Sequence, residues 1–237
     1  MPDMYQNFLN REVLSMFLGQ LMSLNVKWIN HPFYSHLANY KIVQLEKAKN
    51  IGFSLPDTCI STDPEILFNF YNKKVKSNLD VITKAIYSGY VQSKNSDEDE
   101  ILFTQKVDID SVSQIPKNNP LLFQEKINVD YEIRCFVIGD RVLSAKIWSE
   151  QDYCDCREIN GANLKAEPLV LPEIQQHLCI KLANIFNLNY GAIDLMFKDK
   201  KYFFLDFNPN GEWMWYENNA DLPISESIVD LINQLNI

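Results

Sequence analysis

Apolar side chains at the start of the chain recur at helical spacing. In residues 7–24 they fall at positions 9, 13, 14, 17, 18, 21 and 24, which predicts a helix with a wide apolar face. A second helix is predicted over 40–50 and ends at Gly52, because glycine readily takes the left-handed conformation that closes a helix. A third helix is predicted to begin at Thr62, since Glu65 follows three residues later in the pattern of a capping box.

Most of the later sequence consists of short runs rich in β-branched and aromatic residues, which are typical of strands. Strands are predicted at 77–86, 101–108 and 121–128, with hairpins over 131–149 and 191–208. The segment between the two hairpins is predicted to form a long loop and a helix over 172–189, and a last helix spans 223–235. Helices followed by mainly antiparallel strands predict an α+β fold with two lobes.

Composition narrows the class of protein. The 237 residues include 46% hydrophobic residues and carry a net charge of −9, so we expect a soluble globular protein that binds neither nucleic acid nor an anionic membrane. The N-terminal residues lack the basic region and apolar core of a signal peptide, so we expect none, and the sequence contains no apolar run of membrane-spanning length. Five scattered cysteines, an odd number, favour a reducing, cytoplasmic location. The sequence lacks the glycine-rich P-loop and Rossmann motifs and the nucleophile motif G-x-S-x-G.

The second hairpin carries acids among apolar neighbours. If residues 199–201 form a three-residue loop, Asp194 lies opposite Asp206, and Asn208 shares their face. Opposed like charges need a neutralising group, and a set of carboxylate and amide oxygens suits Mg²⁺. A two-residue turn would instead place Leu205 opposite Asp194 and separate the acids. The alternative is that both aspartates face solvent on an edge hairpin.

Basic residues on predicted strands and in the long loop are candidates for phosphate binding. A turn at Gly139-Asp140 is predicted to place Arg134 and Lys146 on one face of the first hairpin. Lys84 lies on an earlier strand and Arg157 in the loop. Taken alone, a lysine or arginine on a strand more often faces solvent than a ligand. Together with an acidic metal pair they are typical of a polyphosphate clamp.

These motifs, in this order, resemble the ATP-grasp superfamily, and more closely its graspetide (microviridin-type) peptide ligases. The similarity covers roughly residues 12–237 and rests on VITKAI, FQEKI, DYEIRCFVIGDRVLSAKI, CREI, GAIDLMF and FFLDFNPNGEW. It implies an ATP-grasp fold, in which two α+β lobes with antiparallel sheets sandwich the nucleotide. The implied division is an N-terminal helix over 1–29, a central lobe over 30–117 and a C-terminal lobe over 118–237.

The resemblance also implies roles for individual residues. Catalytic contacts to the γ-phosphate and an acyl phosphate would come from Arg134, Lys146 and Arg157. Contacts to ATP would come from Lys41, Lys84, Glu125, Lys126, Ile127 and Glu132. Ligands to Mg²⁺ would be Asp194, Asp206 and Asn208.

The implied reaction is ATP-dependent joining of a carboxylate to an amine or hydroxyl through an acyl phosphate. In graspetide ligases this forms lactone or lactam links between side chains of a ribosomal peptide. Two alternatives remain open, namely a ligase that adds amino acids to a protein or small molecule, like the ribosomal-protein glutamate ligases, and a non-catalytic nucleotide- or peptide-binding module.

The sequence departs from the family pattern at three places. Asp206 stands where the family usually has glutamate, the phosphate-covering loop is acidic rather than glycine-rich, and the family's N-terminal domain is expected to be absent. The helix at 7–24 is then either a core helix or a face for a homodimer. Likewise, the aromatic run at 213–216 either packs in the core or forms a wall of the acceptor-peptide groove.

Overall fold

A computed structural model describes residues 3–87, 89–91, 100–151, 154–155, 158 and 163–235. In these residues the helices are α1 (Asp3–Ser23), α2 (Pro32–Ala38), α3 (Lys41–Ile51), α4 (Pro64–Lys76), α5 (Ile109–Ser113), α6 (Glu173–Ile185), α7 (Met214–Ala220) and α8 (Ile224–Leu235). The strands are β1 (Thr58–Ser61), β2 (Val81–Lys84), β3 (Tyr90–Val91), β4 (Glu100–Ile101), β5 (Gln105–Lys106), β6 (Leu121–Glu125), β7 (Tyr131–Ile138), β8 (Arg141–Trp148), β9 (Lys165–Pro168), β10 (Tyr190–Lys198) and β11 (Lys201–Asn208). The α+β prediction is therefore confirmed.

The first lobe is built on an antiparallel sheet with strand order β1-β6-β2-β5. Helix α4 packs on it and buries Leu67 against Val81 and Phe123. This helix begins one residue later than predicted, because Asp63 rather than Thr62 is the N-cap and accepts a hydrogen bond from the Glu65 N–H. Strand β6 is hydrogen-bonded within this sheet, so the sheet itself crosses the predicted division at 117/118.

The second lobe is built on an antiparallel sheet with order β11-β10-β7-β8-β9. Helices α3 and α6 cover one face, where the largest buried cluster includes Ile133, Leu182 and Phe204. Next to α7 and α8, Phe136 and Ala192 are buried in a second cluster. Helices α7 and α8 leave part of this second face uncovered. Because side chains alternate between the two faces of a strand, the register of each strand decides which polar residues lie on this uncovered part.

The hairpin of β10 and β11 brings the two acids together in an unexpected way. Its turn has two residues, Asp199 and Lys200, both with positive φ, so the predicted three-residue loop is wrong. A bulge next to Leu205 then shifts the register by one residue, and Asp194 pairs with Asp206 after all. The pairing on which the metal hypothesis depends is thus confirmed, through a turn and a bulge whose effects cancel.

Replacing Asp199 with asparagine and Lys200 with glycine is expected to raise the free energy of unfolding by about 1 kcal/mol, because left-handed backbone strains most other residues. The φ angles at these positions are 47° and 63°. Urea denaturation with an unchanged m-value measures the gain. Glycine at Lys201 is the matched control, since it weakens strand β11 and should lower stability. A double variant no more stable than the parent would contradict this description of the turn.

The hairpin of β7 and β8 has a register that differs by one residue from the prediction. Its turn at Gly139 and Asp140 pairs Arg134 with Ala145 and Lys146 with Ile133. Cross-strand partners share a face, so Arg134 and Lys146 lie on opposite faces of the sheet. The prediction that they share a face is wrong.

Helix α1 leaves most of its apolar side chains exposed. Phe8, Val13, Leu14 and Phe17 are each more than half exposed, so within this chain α1 is not a core helix, and its use as a homodimer face stays a prediction. Over the described parts of the chain, the structure contains no helix with both the length and the apolar character needed to span a membrane.

Candidate active site

Two aspartates and two cations form the centre of the site, on the open face of the second sheet. Arg134 Nη1 donates to both carboxylate oxygens of Asp194, at 2.8 and 2.9 Å. Lys41 Nζ donates to Asp206 Oδ2 at 2.5 Å. The two cations are largely buried, whereas the aspartate side chains are 35% and 33% exposed. Each acid therefore has its own counter-ion and still faces the opening.

Helix α3 places Lys41 beside Asp206 because the side-chain amide of Gln44, one turn further along the helix, binds the backbone of β11. Gln44 is buried, accepts a hydrogen bond from the Phe207 N–H at 3.0 Å and donates to the Phe207 carbonyl at 2.8 Å. This exchange pairs the helix with the edge of β11 as a neighbouring strand would. Lys41 is the first residue of α3, where the helix dipole disfavours a positive charge, so the carboxylate of Asp206 provides the compensation.

The charges around Asp206 shift the titration of several groups. Partial removal from water raises the pKa of Asp206, but the charges of Lys41 and Lys84 outweigh this and hold the pKa below its usual value. Removal from water lowers the pKa of Lys84 to about 8, and Lys41 lowers it too, while Asp206, Asp194 and Asp155 act in the opposite direction. Lys84 thus belongs to the same electrostatic cluster, although it comes from the first lobe.

Arg134 is held from several sides. Its guanidinium lies 5.8 Å from the Phe136 ring and 5.7 Å from the Tyr216 ring, distances typical of cation–π contacts. A side chain at Gly211 would approach Arg134 Nη2 to 2.9 Å and the Ala192 Cβ to 2.2 Å, so glycine is required there. Burial lowers the pKa of Arg134, but the Asp194 charge more than reverses this and raises the pKa above its ordinary value.

The acid pair fits a magnesium ion by its donor atoms. Among the residues that the structure describes, no group of three His, Cys, Asp or Glu side chains could hold a metal, so the protein would supply two carboxylates and the amide of Asn208. Asn208 pairs with Ala192, two residues before Asp194, and so lies on the same face. Mg²⁺ commonly takes one or two carboxylates and completes its shell with water and phosphate. The residues present fit that pattern.

A cavity of about 250 Å³ lies between the two lobes. Its lining residues Met196 and Glu132 pair with each other, two residues along the strands from the pair of Asp194 and Arg134, so they share the face of that pair. The segment that follows β6 contributes Lys126 and Ile127, the first lobe contributes Ile82, and the second lobe contributes Glu132 and Met196. These positions agree with the predicted surroundings of a nucleotide base and ribose, although binding by Lys126, Ile127 and Glu132 stays a prediction.

The side chain of Glu125, which we expected to line the nucleotide cavity, instead pairs with a lysine of α4. Its Oε2 accepts a hydrogen bond from Lys74 Nζ at 2.6 Å, and Glu125 is not among the residues around the cavity. Lys74 belongs to α4, and no sequence motif identifies it as a partner of Glu125.

Lys146 also lies apart from the acid pair. Its Nζ donates to Glu167 Oε1 at 2.9 Å and lies over the rings of Tyr131 and Trp148. The register places Lys146 on the opposite face from Arg134, apart from the phosphate cluster of Lys41, Lys84 and Arg134, and its contact with the γ-phosphate stays a prediction. The remaining predicted basic residue, Arg157, lies outside the described residues.

The aromatic run at 213–216 packs mainly inward. Trp213 and Tyr216 contact the buried cluster around Phe136 and Ile224, which favours the core interpretation for these two residues. Met214, by contrast, is 65% exposed and is therefore accessible to a substrate.

Comparison with known proteins agrees with this geometry. Residues 38–232 match the family described as the RimK-like ATP-grasp domain. The chain belongs to the RimK-like ATP-grasp family. The matched segment includes every described site residue from Lys41 to Asn208. No curated protein matched the sequence.

Solved structures similar to this RimK-like ATP-grasp protein include peptide-modifying enzymes. The macrocyclase MdnC of Microcystis aeruginosa MRC, bound to the precursor peptide MdnA, is 27% identical with a TM-score of 0.85, over 99% of this chain and 74% of MdnC. A Chryseobacterium gregarium RiPP-associated ATP-grasp ligase, with ADP and a leader and core peptide, is 24% identical with a TM-score of 0.80, over 99% and 71% of the two chains.

The ATP-grasp ligase PsnB, complexed with a precursor variant, Mg and ADP, is 20% identical with a TM-score of 0.74, over 99% and 72% of the two chains. This chain therefore spans nearly three quarters of the length of each of these three structures. The RimK-like ATP-grasp protein has the ATP-grasp fold, which confirms the family resemblance found in the sequence.

Proposed function

We propose that this protein is an ATP-dependent ligase that activates a carboxylate as an acyl phosphate and joins it to an amine or hydroxyl within a peptide. The observation that carries the proposal is the cluster of Asp194, Asp206, Arg134, Lys41 and Lys84, on the sheet face that also contributes Glu132 and Met196 to the cavity. Two acids for a metal and three cations for phosphate are what phosphoryl transfer requires.

The nucleotide would lie with its base in the cavity and its phosphates over the charged cluster. Ile82 and Met196 contribute apolar surface from the two lobes, and Glu132 lies beside them within reach of a ribose hydroxyl. Lys41 and Lys84 would donate to the phosphate oxygens. Without nucleotide, Lys41 donates to Asp206. When a phosphate binds, the ammonium group of Lys41 would interact with both the phosphate and the Asp206 carboxylate.

Asp194, Asp206 and Asn208 would hold Mg²⁺, which when bound neutralises phosphate charge and makes the γ-phosphorus more electrophilic. In the first step the substrate carboxylate attacks the γ-phosphorus, and ADP leaves. In the second step an amine or hydroxyl attacks the acyl carbon, inorganic phosphate leaves, and the nucleophile loses a proton. Arg134 is placed to hold the transferred phosphoryl group, because its guanidinium is fixed by Asp194 and two aromatic rings.

A peptide is the acceptor that we favour. The similar enzymes MdnC and PsnB are complexed with precursor peptides, and the fold match extends over nearly all of this chain. A link between two side chains of one peptide needs no nucleophile from the enzyme, which suits a site built only from acids and cations.

The test is a reaction with Mg-ATP and each short acidic peptide encoded in reading frames next to this gene. We expect ADP release together with the loss of one water mass from the peptide for each bond formed. Mild base then distinguishes the bond, because an ester is cleaved and an amide is not. A catalytically dead control, Asp206→Asn, should give neither product.

Other outcomes would point to the alternatives. ADP release with free amino acids that are added to a protein, and no reaction of the peptides, would overturn the peptide proposal in favour of an amino-acid ligase. Absence of any thermal stabilisation by Mg-ATP would overturn the enzyme proposal and indicate a non-catalytic module.

Nucleotide affinity is expected to fall as pH rises through about 8, the pKa of Lys84 in the free protein. Phosphate binds the charged form of this lysine, so above its pKa the affinity for Mg-ADP should decline by up to about tenfold per pH unit, and binding should take up a proton. Below that pH the charged form predominates and affinity should level off. Isothermal titration calorimetry from about pH 7 to about pH 9.5 measures both effects.

The control for this pH profile is Lys84→Met, which should bind more weakly and lose the decline. Lys76→Met, an exposed lysine on α4, should keep it. A decline that survives in Lys84→Met would assign the titration to another group.

A further inference from the structure

An ion cluster centred on a buried lysine lies at the end of β6, next to the segment that follows it. Lys74, in the last turn of α4, has a side chain only 8% exposed. Its Nζ contacts Glu125 Oε2 at 2.6 Å and also contacts Asp57 Oδ2. Removal from water lowers the pKa of Lys74, but its hydrogen bonds to Asp57 and Glu125 more than compensate and raise it. One lysine thus joins a helix, the segment before β1 and the end of β6.

The backbone around this cluster leads directly into the cavity. The Glu125 N–H donates to the Asp57 carbonyl and the Lys126 N–H to the Asp80 carbonyl, each at 2.9 Å. Lys126 and Ile127, the next residues, line the cavity. The position of these two residues therefore depends on the loops at Asp57 and Asp80 that hold the chain just before them.

The Lys74 backbone also takes part in the turn that leads into β2, the strand next to β6. Its carbonyl accepts hydrogen bonds from the N–H groups of Ser77 and Leu79, and the chain then enters β2 with Ile82 and Lys84. Asp57 and Glu125 both accept a hydrogen bond from the same ammonium group, so without it the two carboxylates would lie close together and repel each other. The least exposed of the two acids, Glu125, cannot regain full hydration where it lies.

We propose that Lys74 is a positioning residue for the base-binding part of the nucleotide site. It fixes the segment of Lys126 and Ile127 against Ile82 by holding Glu125 and Asp57 together, and it contacts no part of the nucleotide itself. The inference rests on the proposed function, because it assumes that the cavity receives the base.

The experiment compares two probes of the same site in the full chain. Mg-ADP uses the base cavity and the phosphate cluster, whereas Mg-tripolyphosphate uses the phosphate cluster alone. In Lys74→Met we expect the Kd of Mg-ADP to rise about tenfold because the segment is no longer preorganised, while the Kd of Mg-tripolyphosphate stays within about twofold. Lys73→Met, an exposed neighbour on the same helix, is the matched control and should change neither value.

Two further variants separate positioning from folding. Lys74→Arg keeps the charge and should restore most of the affinity for Mg-ADP. If Lys74→Met does not fold, Glu125→Gln serves instead, since it removes one charge of the cluster and keeps the pair of Lys74 with Asp57. It should weaken Mg-ADP binding and leave tripolyphosphate binding unchanged.

The outcomes distinguish this inference from the proposed function. If the unaltered protein binds Mg-ADP, and Lys74→Met binds both probes as well as the unaltered protein does, the positioning role is overturned and the proposed function stands. Equal weakening of both probes also overturns it, because Lys74 would then support the lobe as a whole. If the unaltered protein binds tripolyphosphate but not Mg-ADP, both the nucleotide site and this inference are wrong.

Discussion

Replacing Asp206 with asparagine is expected to abolish the stabilisation of this protein by Mg-ATP. A ligand at about 100 times its Kd stabilises a protein by about 2.7 kcal/mol, which for a chain of this size raises the melting temperature by about 5–10 °C. We expect this large effect because Asp206 contributes both to the metal site and to the phosphate site. It offers a carboxylate to the metal, and it holds Lys41 where a phosphate would bind.

The measurement is differential scanning fluorimetry with and without Mg-ATP. Asp199→Asn removes a charge from the exposed turn of the same hairpin and should keep the full rise. Leaving out magnesium should reduce the rise in the unaltered protein, which tests the metal separately from the acid. An equal rise in Asp206→Asn and in the unaltered protein would exclude the metal site at this hairpin.

Replacing Arg134 with methionine is expected to affect stability and turnover together. Loss of one partner from this partly buried ion pair costs about 2 kcal/mol, and a corresponding fall in melting temperature of about 4–8 °C is expected. Among the described residues, Asp194 would lose the one cation that lies within salt-bridge distance of it. Removing a fixed positive group from the transferring phosphoryl should lower the rate of ADP release by about 100-fold or more.

A matched control lies on the same hairpin. Arg141 pairs with Asp230 at 2.9 Å, but both side chains are about half exposed, so Arg141→Met should cost less than about 1 kcal/mol and leave turnover unchanged. Arg134→Lys keeps the charge but loses the planar fork, and should recover stability better than turnover. If Arg134→Met retained normal turnover, Arg134 would have a structural role only.

Local patterns in the sequence were sufficient for the elements and for part of the site. The glycine at position 52 predicts where the preceding helix ends, and the structure has a left-handed residue there. Strand alternation predicts that Asp206 and Asn208 share a face, and the register confirms it, because Asp206 pairs with Asp194 and Asn208 with Ala192. Such features depend on neighbours in the chain or directly across one hairpin, so short stretches of sequence contain the information.

Features that depend on a shift of one residue were not predictable in the same way. The turn at Asp199 and Lys200 and the bulge next to Leu205 each move the register by one position, and only their combination leaves the acids paired. In the other hairpin, one position separates Lys146 from the face of Arg134. Since side chains alternate at every residue, an uncertainty of one in turn length reverses the predicted face.

The sequence by itself determined the α+β fold, the family and the acids and cations available for phosphoryl transfer. Only the tertiary structure decided which of them meet. Gln44 locks α3 onto Phe207, 163 residues later, and so brings Lys41 to Asp206. Lys74 donates a hydrogen bond to the side chain of Glu125, the residue for which the family resemblance implies a contact with ATP. The physical reason is that a side chain selects its partner after distant segments have packed, when burial makes an unpaired charge costly, and no local pattern of residues records that choice.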